Sequence, residues 1–228
     1  PSKKQGLVIT LENHVDRDLF ASLCNTLVDS ISDVSDSAVA LSLAMSQIKR
    51  WKMFLAGRRA RILSFEEIRG LFSELMFFQN MLCEGFSEHD ALKAWQGPEA
   101  SHQDFIFSNT AVEIKSLSGK ERNTVKISSE DQLESLNDNL FLKIFRLAEM
   151  PESERAASLN GLVGEIEEGL QNAAALEEFF EKLAKVGYVK LEEYNTPKLL
   201  VAEEKSYQVV EPFPRLIRSE LPIGILKV

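Results

Sequence analysis

Asp104, Glu113 and Lys115 are the side chains of this sequence whose types and spacing could do chemistry together. They fall in Gln103-Asp104-Phe105-Ile106-Phe107, a turn at Ser108-Asn109-Thr110, and then Ala111-Val112-Glu113-Ile114-Lys115. That pattern reads as two short strands joined by a tight turn. Alternate residues of a strand point to opposite faces, so Glu113 and Lys115 share one face and Val112 and Ile114 the other. Asp104 can stand opposite them across the hairpin. Two carboxylates and an ammonium converging on one spot suit Mg²⁺-assisted phosphodiester hydrolysis. Carboxylates bind a hard cation, and a lysine positions or activates the attacking water.

Outside the hairpin the telling carboxylate is Glu74. It is the one charged residue between Arg69 and Glu84, on a predicted helix otherwise built from Leu71, Phe72, Leu75, Met76, Phe77, Phe78, Met81 and Leu82. A helix apolar nearly all round is buried, and a carboxylate there is unfavourable unless paired or metal-bound. A structural ion pair with Arg69 or another helix is the plainer alternative. Gln132 also divides two readings. With Ser129 it satisfies an S-x-x-Q capping box, or it faces the site and touches metal-bound water or phosphate. A helix N-terminus at Ser128-Ser129 would suit a phosphate. His102 and Lys126 are read as solvated surface residues, and Trp95-Gln96-Gly97-Pro98 as a structural turn with its tryptophan in the core.

Periodicity and caps define the elements that must position these residues. Gly6 to Leu11 reads as a short strand, and apolar spacing predicts helices from Val15 to about Ile31 and from Ser35 to about Ala56. Ser64 and Glu67 form a capping box, with Leu63 and Ile68 as hydrophobic staple, for a helix reaching Cys83. Ser87 caps a short helix through Ala94. Strands over 104–107 and 111–117 follow, then a third from Thr124 to Ile127, a helix from Ser129 to about Leu136, and a fourth strand from Asn139 to Leu147. Beyond Pro151 the pattern predicts helices over 152–171 and 173–186, a hairpin with strands near 198–202 and 206–210, and a proline-spaced tail. The fold class is α/β (α+β). A mixed β-sheet flanked by helices spans 63–148, with a helical extension over 1–62 and helices plus a hairpin over 149–228, all packed as one unit.

At 44% hydrophobic and 27% charged, the chain has the composition of a soluble globular protein with one substantial core. No apolar run approaches the ~20 residues of a spanning helix, and no signal-peptide pattern opens the chain. The opening at Pro1 and the strand-like Ile223 to Val228 suggest a piece of a longer protein. Cys24 and Cys83 fall in apolar helical patterns, which predicts buried thiols in a reducing, cytoplasmic setting. His14, His89 and His102 are scattered, with no zinc spacing.

A net charge of −9 argues against an autonomous, high-affinity nucleic-acid binder. The charge is uneven, however. Seven bases from Lys49 to Arg69 meet two acids, while thirteen glutamates from Glu149 to Glu204 meet five bases. A basic N-terminal half could hold a phosphate backbone along one face. The acidic run reads as solvated helix faces.

Arg69 to Glu74 (RGLFSE), Ala94 to Pro98 (AWQGP), Gln103 to Phe105 (QDF), Ala111 to Lys115 (AVEIK) and Ile127 to Leu133 (ISSEDQL) carry a resemblance, with Phe213-Pro214-Arg215-Leu216 fitting it later. Together they resemble a bacterial family of the PD-(D/E)XK, restriction-endonuclease-like superfamily, encoded beside DNA methylases and ATPases of defence loci. The resemblance covers most of the chain. Gln103 stands where the motif's proline would be, a departure common in that superfamily. The resemblance implies a restriction-endonuclease-like core and a Mg²⁺- or Mn²⁺-dependent DNA endonuclease. Such a protein would be a subunit of a restriction or phage-defence system, alone, as a homodimer or with other subunits. It also implies that Asp104, Glu113 and the Ile114 carbonyl hold the metal, with Glu74 supporting through water or a second metal. Lys115 would orient or deprotonate the attacking water. The alternative is a nuclease-fold scaffold subunit with little catalysis. The missing proline and the acidic balance favour that alternative, and the intact Asp104, Glu113 and Lys115 set disfavours it.

Overall fold

The computed structural model describes residues 6, 8–11, 17–56, 61–119, 127, 130–133, 137–211 and 213–214. Its centre is a four-stranded sheet in the order β1 (Phe105–Phe107), β2 (Thr110–Ser118), β3 (Asn139–Glu149), β4 (Leu199–Gln208). Among the described residues, six α-helices flank it: α1 (Arg17–Ile31), α2 (Ser37–Ala56), α3 (Phe65–Cys83), α4 (Glu88–Ala94), α5 (Leu159–Gly169) and α6 (Ala173–Lys185). The sheet is mixed, as the sequence predicts. β1–β2 and β3–β4 run antiparallel, and β2–β3 parallel.

Antiparallel neighbours need only a tight turn, here with Ser108 at φ +50°, whereas parallel ones need a long crossover. Residues 119–138 supply it. The turn also anchors the next strand. The Asn109 side-chain amide donates to the Asp138 carboxylate, the Asp138 amide donates to Asn109 Oδ1 at 3.2 Å, and the Asn139 amide to the Asn109 carbonyl at 3.1 Å. These bonds hold Thr110 opposite Asn139, and that register places Glu113 beside Leu142.

β2 separates two apolar layers. Val112 and Ile114 join the main core with Phe105, Phe145 and Leu147, under Leu71, Phe72, Leu75 and Phe78 of α3 and Phe179 of α6. Ala111 belongs instead to a smaller cluster with Leu133, Leu140, Leu142 and Val209. By the strand's period of two, Glu113 and Lys115 lie on this second face. The helix that carries Glu74 starts as expected. Ser64 and Glu67 form the capping box, and Arg61 adds two 2.9 Å bonds to the Glu67 carboxylate. Against the upward push of burial, the Ser64 amide and Arg61 hold Glu67 down at about 2. Leu63 and Ile68 are both buried in the main core.

Several expectations are corrected. Residues 8–11 form no strand. The predicted strand 124–127 lies outside the described residues except Ile127, which is in no strand. Of the predicted helix 129–136, the described part is a single 3-10 turn, Glu130–Leu133. α5 begins at Leu159 rather than 152, because the Ala157 backbone pairs with Leu199 at 3.0 and 2.8 Å and leaves Ser158 to cap the helix. The predicted C-terminal hairpin is one continuous strand, β4. Its middle has no turn-forming residue, and Glu203 and Glu204 pair with Arg146 at 3.3 Å and Lys143 at 2.7 Å on β3. Both cysteines are free, but Cys24 is only partly buried and Cys83 is exposed, because in the last turn of α3 it is Met81 and Leu82 that face the core. Among the described residues no helix is long and apolar enough to cross a membrane.

Candidate active site

Lys115 Nζ lies 2.8 Å from Glu113 Oε1 and donates to Gln132 Oε1 at 3.1 Å. Gln132, on the 3-10 turn of the crossover, therefore faces this cluster. Asp104 immediately precedes β1, and the register pairing Phe105 with Val112 puts it opposite Glu113. Its Oδ2 accepts from the Ile114 amide at 2.7 Å, where a ladder carbonyl would otherwise stand. A strand residue sends its amide and carbonyl to the same edge. The Ile114 carbonyl thus turns toward Asp104 as well.

β1 stops short at Asp104 because its backbone is taken by another segment. The Asp104 carbonyl accepts from the amides of Gln96 at 2.7 Å and Gly97 at 3.0 Å. This segment also meets Glu74, whose Oε2 accepts from Trp95 Nε1 at 2.8 Å. Glu74 Oε2 and Asp104 Oδ1 both lie within 3.5 Å of the point where a β-carbon on Gly97 would stand. The absence of that carbon leaves room for both carboxylates. Glu74, Asp104, Glu113, Lys115, Ile114 and Gln132, named from the sequence, are thus gathered in one place.

Burial governs the electrostatics here. Glu113 is 1% exposed, and burial followed by the Asp104 charge pushes it up to about 8 even though Lys115 draws it down. Burial raises Asp104 to about 6 against the Ile114 bond and the Lys115 charge. Glu74 is pushed well above the usual carboxylate range by burial and then by Asp104, with the Trp95 bond opposing. Among the described residues, these three carboxyl groups, one fully and two partly buried, have one lysine among them. Such a site is short of positive charge.

The donor set suits a divalent ion. All candidate ligands are oxygens, which matches Mg²⁺ or Mn²⁺. Glu113 Oε2 is buried without a hydrogen-bond partner, an arrangement that is unfavourable unless something binds there. Among the described residues no three His, Cys, Asp or Glu side chains stand together as a ligand group. Asp104, Glu113 and the Ile114 carbonyl would supply the protein's oxygens to a divalent ion, with water and substrate oxygens supplying the rest.

All 228 residues, 1–228, match a family model described as "Putative PD-(D/E)XK family member, (DUF4420)". The chain belongs to this PD-(D/E)XK family. No curated protein and no solved structure matches it. The PD-(D/E)XK assignment accords with the mixed sheet and with an acid before β1 facing Glu-x-Lys on β2.

Other sequence candidates of this PD-(D/E)XK chain lie elsewhere. His102 is exposed, and Lys126, Ser128 and Ser129 lie outside the described residues. Of the basic segment, Arg58 and Arg59 lie outside the described residues, Lys52 is exposed, and three others have acidic partners within the chain. Lys49 and Arg50 turn onto α6, where Glu177 lies 3.2 and 3.7 Å away, and Arg61 onto Glu67. Sequence reasoning missed Trp95 and Gly97 as parts of the site. The available signal was Glu74 itself, since a carboxylate on an apolar helix needs a donor, and tryptophan is one that a core can supply.

Proposed function

We propose that the chain is a Mg²⁺- or Mn²⁺-dependent DNA endonuclease, acting in the cytoplasm as a subunit of a bacterial restriction or phage-defence system. The observation that carries this reading is Glu113 Oε2, buried and unpartnered opposite Asp104, with Lys115 beside it. Asp104, Glu113 and the Ile114 carbonyl would hold the ion, and Glu74 would act through water. The ion, when bound, would neutralise phosphate charge and make a neighbouring water more acidic. Lys115 is held between Glu113 and Gln132, so its ammonium is pre-oriented to align the attacking water and oppose the charge growing on phosphate. DNA would be delivered by partner subunits or a second copy, because Lys49 and Arg50 are engaged on α6.

One observation favours the scaffold alternative: Asp104 Oδ2 and Glu113 Oε1 already have partners within the chain. The deciding experiment measures Mn²⁺ binding by calorimetry and Mg²⁺-dependent plasmid nicking with partner subunits present. Binding with nicking is the expected result. A fully assembled system that binds no Mn²⁺ and leaves plasmid intact would move the assignment to the scaffold.

A further inference from the structure

Lys182 on α6 is 5% exposed, and a buried ammonium is unfavourable unless hydrogen-bonded. Its Nζ donates to the Trp95 carbonyl at 2.7 Å, while Glu99 stands farther off at 3.6 Å. Phe179, one turn earlier on the same helix face, packs 6.2 Å from the Trp95 ring. α6 thus grips Trp95 by backbone and by ring. On its other side the same short segment meets the site. The Trp95 indole donates to Glu74 at 2.8 Å, and the Gln96 and Gly97 amides hold the Asp104 carbonyl. Lys185 fastens the segment's far end through Glu99 at 2.7 Å.

We propose that Lys182 is a positioning residue that, through Trp95, sets where the Glu74 carboxylate points in the candidate site. Its purpose rests on the nuclease reading, whereas its geometry does not. The closer partner of the ammonium is not the Glu99 carboxylate but the carbonyl of the residue whose indole holds Glu74. The bond that satisfies the buried charge therefore also fixes the backbone from which that indole projects. A helix far from the β1–β2 hairpin in sequence therefore helps to shape its chemistry.

The test uses the full chain with Lys182→Met, Lys182→Arg, Trp95→Phe and the Lys182→Met/Trp95→Phe double variant. Trp95→Phe removes the indole donor and keeps an aromatic ring. Mn²⁺ affinity, read by electron paramagnetic resonance, should fall about tenfold in Lys182→Met and in Trp95→Phe, the scale for partners that orient metal ligands. The double variant should be no weaker than Trp95→Phe, and Lys182→Arg should recover most of the loss. A second readout needs no metal. The Trp95 indole N–H resonance, identified by its disappearance in Trp95→Phe, should move toward a solvent-like position in Lys182→Met and return in Lys182→Arg. An unmoved indole resonance in Lys182→Met overturns the proposal, as do single-variant losses that multiply in the double variant. A wild type that binds no Mn²⁺ would count against the nuclease reading, and the indole resonance would still decide the role of Lys182.

Discussion

Glutamates in two parts of this chain meet opposite fates. On α6, Glu177 accepts from Ser46 Oγ at 2.9 Å and pairs with Lys49 at 3.2 Å and Arg50 at 3.7 Å. Burial raises its pKa, but these partners bring the net result below the ordinary value. Around the hairpin, burial wins, and Glu74, Asp104 and Glu113 are all raised. The chemical group is the same, and the differences are depth of burial and the number of nearby cations. The Glu177 side chain is 32% exposed with two described cations, that of Glu113 2% exposed with one. On the α2–α6 seam Glu177 meets Lys49 and Arg50, whereas among the described residues the hairpin carboxyl groups share Lys115 alone. Carboxylates left in that state mark functional sites more often than structural ones.

The largest effect should come from Lys115, the one cation at the hairpin end of that comparison among the described residues. Lys115→Ala should reduce Mg²⁺-dependent nicking by ~10²-fold or more, the scale for one electrostatic group acting in the transition state. Mn²⁺ binding and the fold should persist, because Lys115 is not a ligand. Plasmid cleavage that is equal in wild type and variant would break the comparison by assigning the activity elsewhere.

A pH series sharpens it. Glu113 rises from 4.5 to about 8 on folding, so its contribution to stability is complete below the lower value and lost as pH climbs through the upper one. Asp104 follows the same sign between 3.8 and about 6. The metal-free protein should therefore lose stability across this window. Mn²⁺ must displace these protons, so its affinity should rise by up to about tenfold per pH unit between roughly 6 and 8. Flat calorimetric affinity over that range would mean the carboxylates are already ionised.

Gly97→Ala probes the space between the carboxylates. The new β-carbon would come within 2.6 Å of Glu74 Oε2, so that carboxylate must turn away. Mn²⁺ affinity should weaken by about tenfold, while the melting temperature changes little. A variant that binds Mn²⁺ as wild type does would remove Glu74 from the site.

The smallest effects belong to the seam. Arg50 is 15% exposed and its guanidinium lies 3.6 Å from the Phe180 ring centre, so Arg50→Ala should lower stability by ~1–2 kcal/mol through lost packing. Lys49 is 54% exposed, and Lys49→Ala should leave thermal melting unchanged. Neither should alter cleavage. A loss of nicking from Lys49→Ala would show that the seam also serves DNA.

The sequence alone carried the hairpin, the capped helix of Glu74 and the candidate set Glu74, Asp104, Glu113, Ile114, Lys115 and Gln132. The elements rest on local rules, the two-residue period of a strand and a capping box, and Glu74 on its place as an acid in an apolar helix. The weight given to Asp104, Glu113 and Lys115 and the role of the Ile114 carbonyl rest instead on the resemblance of the surrounding motifs. Where a backbone had two places to bond, local rules failed. Residues 152–157 have helical composition, yet Ala157 bonds to Leu199 of the sheet. The 198–210 segment reads as a hairpin in sequence, yet it pairs along β3 as one strand with a register shift opposite Arg146 and Leu147, and Lys143 and Arg146 meet Glu204 and Glu203 along it. Charge counts along the chain could not show that Lys49 and Arg50 of the basic run meet Glu177 and Glu181 of the acidic run across α2 and α6. Only the tertiary structure placed Trp95 and Gly97 against Glu74 and Asp104, and only it could show which cations stand near which carboxylates among the described residues. Compensation of charge depends on distances between residues far apart in the chain, and no spacing along the sequence contains them.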